Sequence, residues 1–407
     1  MKKNILTKRS NKPKMLIFTL VGILLAPTVY ADDFPALDSA LPTQVDVAAV
    51  APVFDFDGDG CLPSAGISRS GDQNGGLNPS GSLTGGCRSS NFLELSNTVH
   101  RYACAKSGGT TYCGHFYALY FEKDQILSGI TSGHRHDWEY AAVWTADGVV
   151  THGSYSAHGD LTTEDASSLE FDDGHLKIVY HKDGISTHAM RFANLGEIAE
   201  NPYGAFVIPP IISWYEFTGS GWNNLVMRTL LNNYDYGSAN LPMSDGNFLQ
   251  NLNEFKPDSY PQFRNADVLD TNTGVNEKWT QFINNASGLC MDISGAKMAD
   301  GTDVMQWTCN GENWQQWYWE ESSGLIRSLQ DPRFCLDNSS VFENGADIII
   351  WTCRGGNPQR FVNNGDGSFA VEVAPNQVLD GYGIGAGDNV GTWWNWGGTN
   401  QHWTLTP

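Results

Sequence analysis

The sequence predicts a mainly β chain built as two domains of unequal size. Apolar runs in the first two thirds are short, as in Ala141 to Trp144, Leu176 to Tyr180 and Ala205 to Ile208, and Gly, Asp and Asn bound them. That punctuation suits strands with long loops better than a helical bundle. Composition changes sharply near residue 279: ten of the fourteen Trp lie from there to the end, and nine of the ten His lie before it. The last 129 residues also repeat themselves three times. A chain of 407 residues is in any case more than one core usually organises.

The N-terminal stretch, 1–31, reads as an export leader. Lys2, Lys3, Lys8, Arg9, Lys12 and Lys14 precede an apolar run from Met15 to Leu25 and a small-residue exit at Val29-Tyr30-Ala31. The run is shorter than the roughly 20 apolar residues of a membrane span, so cleavage and a secreted, extracellular protein are expected. A later apolar stretch, Ala205 to Phe217, is short and broken by Pro209-Pro210. The formal net charge is −21, and removing the leader strips six basic residues and no acidic one. Such acidity argues against nucleic acid or anionic lipid as an electrostatically driven partner.

Eight cysteines in an exported chain point to disulfides rather than a thiolate metal site. They fall into local pairs, Cys61 with Cys87, Cys104 with Cys113, Cys290 with Cys309 and Cys335 with Cys353. Sequence alone does not fix that connectivity.

Between about 32 and 262 the expected helices are Thr163 to Leu169 and Gly246 to Phe255. The densest cluster of chemistry-bearing residues there is Gly133-His134-Arg135-His136-Asp137-Trp138-Glu139, which runs into the strand-like Tyr140 to Trp144. On one strand Asp137 and Glu139 share a face, because side chains alternate with period two. Two carboxylates that close repel each other and ask for a bound cation or a proton. His134 has the opposite parity and joins them only from a turn before the strand; His136 and Trp138 face the other side.

This heptapeptide resembles the hallmark of the necrosis- and ethylene-inducing-peptide-like (NLP) family. Tyr120 to Gln125, Asp57 to Cys61, Ser156 to Gly159, Tyr180 to His188 and Ala239 to Pro242 are similar to that family too, so the resemblance spans about 45 to 255. It implies a central β-sandwich with peripheral helices and long loops. It also implies a metal site at Asp124, His134, Asp137 and Glu139, although the loop from Asp124 to His134 is longer than the family's usual one. Oxygen donors with one imidazole suit a hard divalent cation, Mg or Ca, better than zinc. Arg135, His136, His158 and His188 are expected to line the same cavity. Asp55, Asp57 and Asp59 resemble the start of an EF-hand loop and mark a second candidate calcium site, but its twelfth position is Gly66, not Glu.

The repeats in 279–407 keep register: Trp307, Trp351 and Trp393, and Gln315, Gln359 and Gln401, are spaced by 44 and 42 residues. Each Gln is followed two positions later by Trp317, Phe361 or Trp403. These residues resemble the ricin B-type β-trefoil lectin. Its pocket pattern falls on Asp292 with Trp307, Asp337 with Trp351, and Asp380 with Trp393, Asn400 and Gln401. The third repeat is the best expected pocket, since it alone keeps the Asn-Gln-x-Trp form. The Gln/aromatic pairs are expected in the trefoil core. A linker, 263–278, separates the domains.

The resemblance implies a non-enzymatic, lytic toxin. Its metal cavity would receive the terminal sugar of a glycosylinositol phosphorylceramide in plant plasma membranes, while the lectin binds cell-surface or cell-wall carbohydrate. Trp214 and Trp222 are candidates for membrane contact, and a monomer is expected. The alternative is a metal-dependent polysaccharide hydrolase with a carbohydrate-binding module, because carboxylates, His and a metal can activate water. No Gly-x-Ser-x-Gly or His-Glu-x-x-His motif supports it.

Overall fold

The structure, a computed structural model, describes residues 34–270, 277–340 and 343–407. The expected leader and residues 271–276 of the expected linker lie outside them.

The first domain is a β-sandwich. Its larger sheet has six strands, β2 (Thr98–Ser107), β3 (Thr110–Asp124), β4 (His134–Ala146), β5 (Val149–Ala157), β6 (Asp160–Asp165) and β10 (Ile211–Ser213), in the order β10-β2-β3-β4-β5-β6. The smaller sheet joins β1 (Val53–Phe56), β7 (Phe171–Asp172), β8 (His175–Lys182) and β9 (His188–Phe192) around β8. Alternation along β3 separates two cores: Tyr117, Leu119 and Phe121 face the small sheet with Phe54, Phe56, Ile178 and Tyr180. Phe116, Ala118 and Tyr120 face α1 (Asn224–Asn233) and α2 (Phe248–Phe255) with Trp144, Leu230 and Leu252. Burial on both faces is why β3 and β4 read as near-continuous apolar runs.

The expected strands over Ala141 to Trp144 and Leu176 to Tyr180 are β4 and β8. Ala205 to Ile208 is not a strand; Val207 only bridges Phe54. Thr163 to Leu169 is not an α-helix but the end of β6 followed by a 3-10 turn, Ala166–Ser168, capped by Asp165. The helix over Gly246 to Phe255 is present as α2. Sequence reading missed α1, whose start is capped by the Asn223 side chain accepting from the Val226 amide at 3.1 Å. The linker also begins later than expected: Phe263 is buried in the helix-side core, and the Tyr215 hydroxyl donates to the Val268 carbonyl at 3.0 Å.

The second domain is a β-trefoil of twelve strands, from Gln281–Asn284 to Trp403–Thr406. Phe282, Trp317, Phe361, Phe369 and Trp403 fill its core, and Gln315, Gln359 and Gln401 are fully buried beside it. Gly387, Gly301 and Gly345 sit at equivalent points of positive φ, with Trp307, Trp351 and Trp393 respectively as the nearest side chain to where a Cβ would stand. All four expected disulfides are formed. The third repeat has Val378 and Asn395 in place of the cysteine pair.

Polar contacts fasten the trefoil to the first domain. Arg333 donates to Asp72 at 2.7 Å, and the Asn233 side chain donates to the Leu329 carbonyl at 2.8 Å. Asp331 holds the same guanidinium at 2.9 Å, so Arg333 is fixed from both sides.

Candidate metal centre and sugar pockets

Strand β4 pairs with β5 only from Ala141 onward, which leaves the Asp137 to Tyr140 edge open. A cavity of about 570 Å³ occupies that edge. Asp124, His134, Asp137, Glu139 and His158 line one part of it, and Asn240, Asn247 and Asn251 another.

Strands β3 and β4 place the predicted ligands: Asp124 pairs with His134, Phe121 with Asp137 and Leu119 with Glu139. Strict alternation would keep His134 away from Asp137, as its parity suggests. His136 resolves this with a φ of 63°, a left-handed residue inside the strand. One carboxylate oxygen or imidazole nitrogen from each of Asp124, His134 and Asp137 then lie within 4.8 Å of one another. The loop joining the strands closes through Gly133, where φ is 87° and a Cβ would stand 2.1 Å from the Asp124 carbonyl oxygen.

The donors are held from behind. His134 Nδ1 lies 2.7 Å from the His136 carbonyl, so it carries the proton and leaves Nε2, 4.0 Å from Asp124, with a free lone pair. The His188 amide donates to both Asp124 oxygens at 3.0 and 2.9 Å, and its ring Nδ1 lies 2.7 Å away. The Tyr180 hydroxyl donates to Asp137 at 3.3 Å, and the Ser156 hydroxyl donates to Glu139. Burial, then Glu139 and Asp124, hold the Asp137 carboxyl well above the usual range. Burial pushes Glu139 up to about 8, Ser156 opposing and Asp124 adding to it. The donor set fits a hard divalent cation: acidic oxygens, one oriented imidazole and a local excess of negative charge.

Not every predicted residue reaches the cavity. Glu139 lines it but lies outside the tight Asp124/His134/Asp137 group. His158 lines the rim, with Nε2 2.8 Å from Asp183. His136 turns away to the Tyr120 hydroxyl at 2.6 Å, a consequence of its left-handed backbone. Arg135 points outward and donates to the Gly75 carbonyl at 2.8 Å. His188 stands behind Asp124 rather than in the cavity wall. Ser156, Tyr180 and Asn240 lie in segments that the sequence already marked as family-like but without a role, whereas Asn247 and Asn251 carried no local signal because they meet the cavity only through the fold.

The second candidate site does not assemble. Asp55 accepts the Glu200 and Asn201 amides at 2.9 and 3.1 Å and the Asn201 side chain at 2.8 Å, so its oxygens anchor a loop. Asp55, Asp57 and Asp59 do not form a converging donor group among the described residues. Burial raises Asp57 to about 6 although Arg191 opposes it. Trp214 and Trp222 do not serve as a membrane-facing rim: Trp214 is fully buried, and Trp222 is half-buried with its indole donating to the Ser70 carbonyl at 3.0 Å.

In the trefoil, Gln315 donates to Asp292 at 2.7 Å, and Gln401 and Asn400 donate to Asp380 at 2.9 and 2.7 Å. Trp307 and Trp393 are exposed beside these acids. Each of the two thus offers a fixed carboxylate next to an aromatic face. Asp337 in the second repeat differs: its Oδ2 is buried and carries no hydrogen bond.

Comparison with known proteins accords with both halves. The profile of the family described as Necrosis inducing protein (NPP1) matches residues 46–255, and that of the Ricin-type beta-trefoil lectin domain matches 278–403. NLP effector protein 10 of Phytophthora capsici is 31% identical over 200 residues, 48% of this chain and 76% of that protein. Necrosis-inducing protein NPP1 of Phytophthora nicotianae is 32% identical over 202 residues, 47% of this chain and 74% of that protein. A solved structure described as "Toxin fold as basis for microbial attack and plant defense" is 27% identical, covers 56% of this chain and 98% of that one, and has a TM-score of 0.45. With a matching profile over half its length and relatives matched across most of theirs, the chain belongs to the necrosis inducing protein (NPP1) family and carries a ricin-type β-trefoil lectin domain after it.

Proposed function

We propose that this protein is a secreted, non-enzymatic cytolysin. Its cavity binds Mg or Ca and grips the sugar headgroup of a plant plasma-membrane glycosylinositol phosphorylceramide, and permeabilisation of that membrane follows. The observation that carries the reading is the convergence of Asp124, His134 and Asp137 within 4.8 Å at the edge of an open cavity. A hard cation bound there supplies the positive charge these acids lack and a coordination shell that vicinal hydroxyls can enter.

The chain's own residues do the rest. His188 and the His136 carbonyl hold Asp124 and His134 in place, and Ser156 and Tyr180 hold Glu139 and Asp137. Asn247 and Asn251 spend their side-chain N–H groups on the Leu241 and Pro242 carbonyls. Their amide oxygens remain to accept from a sugar hydroxyl. The trefoil adds carbohydrate binding through Asp380, Trp393, Asn400 and Gln401, and through Asp292 with Trp307.

The test is dye release from vesicles containing the sphingolipid, with and without chelator, for the wild type and Asp137→Asn. Leakage abolished by chelator and by the substitution supports the reading. Leakage unchanged in both refutes the metal cavity, and new reducing ends from cell-wall glycans would favour the hydrolase alternative.

A further inference from the structure

The three trefoil repeats share a scaffold but differ at one position that faces the sugar. The backbone amides of Asn310, Arg354 and Trp396 donate to Gln315, Gln359 and Gln401 at 2.9, 2.8 and 3.0 Å, which makes the three residues structural equivalents. Each lies three positions after its pocket tryptophan. All three are exposed. One repeat therefore presents an amide there, one a cation and one an indole.

In the second repeat the cation is already committed to the pocket. The Arg354 guanidinium lies over the Trp351 ring at 5.1 Å, where the face of a sugar would stack, and 3.7 Å from Asp337 Oδ2. That oxygen is the one that lacks a hydrogen bond, although Asp337 is only 5% exposed. Gln315 and Gln401 each donate both to a carbonyl and to their acid, whereas Gln359 donates to the Thr352 carbonyl at 3.0 Å and shares the Asp337 carboxyl with Arg354, neither closing a hydrogen bond on Oδ2. Nearby Asp300 is spent on the Thr352 amide and hydroxyl at 2.6 and 2.8 Å.

A buried carboxylate oxygen without a hydrogen bond asks for a hydroxyl donor, and an exposed guanidinium beside it asks for an anion. One ligand satisfies both: a pyranose whose hydroxyl reaches Asp337 while a charged ring substituent meets Arg354. A neutral sugar would have to displace the guanidinium from Trp351 and offer it nothing in return. We propose that the second repeat binds an anionic pyranose, bearing a carboxylate or a sulfate, and that Arg354 sets this specificity. The proposal rests on the lectin reading of the trefoil.

The experiment is calorimetric titration of the full chain with galacturonate, galactose 6-sulfate and galactose, for wild type, Arg354→Gln, Arg354→Lys and Asp380→Asn. Arg354 is exposed, so its variants should fold, and thermal melting checks this. The expected result is at least tenfold weaker binding of the anionic sugars in Arg354→Gln and partial recovery in Arg354→Lys, with galactose binding lost in Asp380→Asn but kept in Arg354→Gln. The carboxylate and sulfate arms identify which anion is preferred. Equal binding of galactose and galacturonate by the second repeat, unchanged anionic binding in Arg354→Gln, or no anionic binding overturns the proposal. Neutral binding that still depends on Asp380 would leave the lectin reading standing; binding of no sugar by any repeat would remove both.

Discussion

The backbone amide of His188 donates to both carboxylate oxygens of Asp124, and the imidazole of the same residue holds one of them again from 2.7 Å. Asp124 is thereby oriented by a residue 64 positions away, at the start of β9. Outer supports of this kind typically change metal affinity about 10- to 100-fold when removed. His188→Ala should weaken Mg or Ca binding by that order in a calorimetric titration, because the amide contacts survive and the ring contact does not. Unchanged affinity in a folded variant would show that the ring is only filling space.

Gly133→Ala should damage the centre from the backbone side. Its positive φ and the Asp124 carbonyl oxygen 2.1 Å from the position of a new Cβ leave no room for a methyl group. We expect a loss of at least about 2 kcal/mol in denaturant unfolding, together with weakened metal binding. A variant with wild-type stability would mean that the β3–β4 loop relaxes freely.

Stability should fall on acidification through a pair far from the cavity. His100 and His115 are buried, with His100 Nε2 3.4 Å from His115 Nδ1 and His100 Nδ1 2.9 Å from the Ser213 hydroxyl. Burial lowers His115 to about 4, while burial and then His115 hold His100 well below its ordinary value. Both are neutral when folded, so below pH about 6.5 the unfolded chain binds protons that the native state refuses. Their contribution is complete above that pH and is lost as pH falls towards 4; for His115 alone it is roughly 3 kcal/mol. Urea denaturation at pH 7 and pH 5 measures the loss. The slope should flatten in His115→Gln, and an unchanged slope would assign the acid sensitivity to other groups.

Asp380→Asn should abolish neutral-sugar binding at the third repeat while leaving the fold intact. Gln401 and Asn400 already donate to that carboxylate, so an amide in its place must turn a donor towards one of them. Binding to immobilised galactose should drop at least tenfold, with melting temperature shifted by only a few degrees. Retained binding would place the neutral pocket in the first repeat.

Much of this molecule was legible in its sequence, and the parts that were not share a cause. Period-two spacing put Asp137 and Glu139 on one face, and the 44- and 42-residue spacings gave three repeats whose Gln-x-aromatic signature resembles the ricin B-type trefoil. His134 was harder, because its entry depends on the left-handed backbone of His136, a residue type that usually stays extended within a strand. Thr163 to Leu169, expected as a helix, keeps only a 3-10 turn capped by Asp165, because β5 claims Thr163 to Asp165 as a strand partner. Helix α1 escaped notice since its cap, Asn223, lies among loop-like residues and its first turn has no acidic residue. The Asp55 loop had the composition of a cation site, yet two amides 145 and 146 positions away take its carboxylate. Local spacing was readable; long-range hydrogen bonding was not.

Were cavity and trefoil both to hold glycans as proposed, the bridge from Asp331 through Arg333 to Asp72, with Asn233 beside it, would set what kind of target they could grip simultaneously. A flexible tether would let the lectin search a sphere around the cavity and tolerate almost any arrangement of glycans. A fastened lectin would instead work like the second prong of a gauge, so that two-point attachment would reinforce binding only where the spacing and tilt of the sugars on a surface match the protein's own.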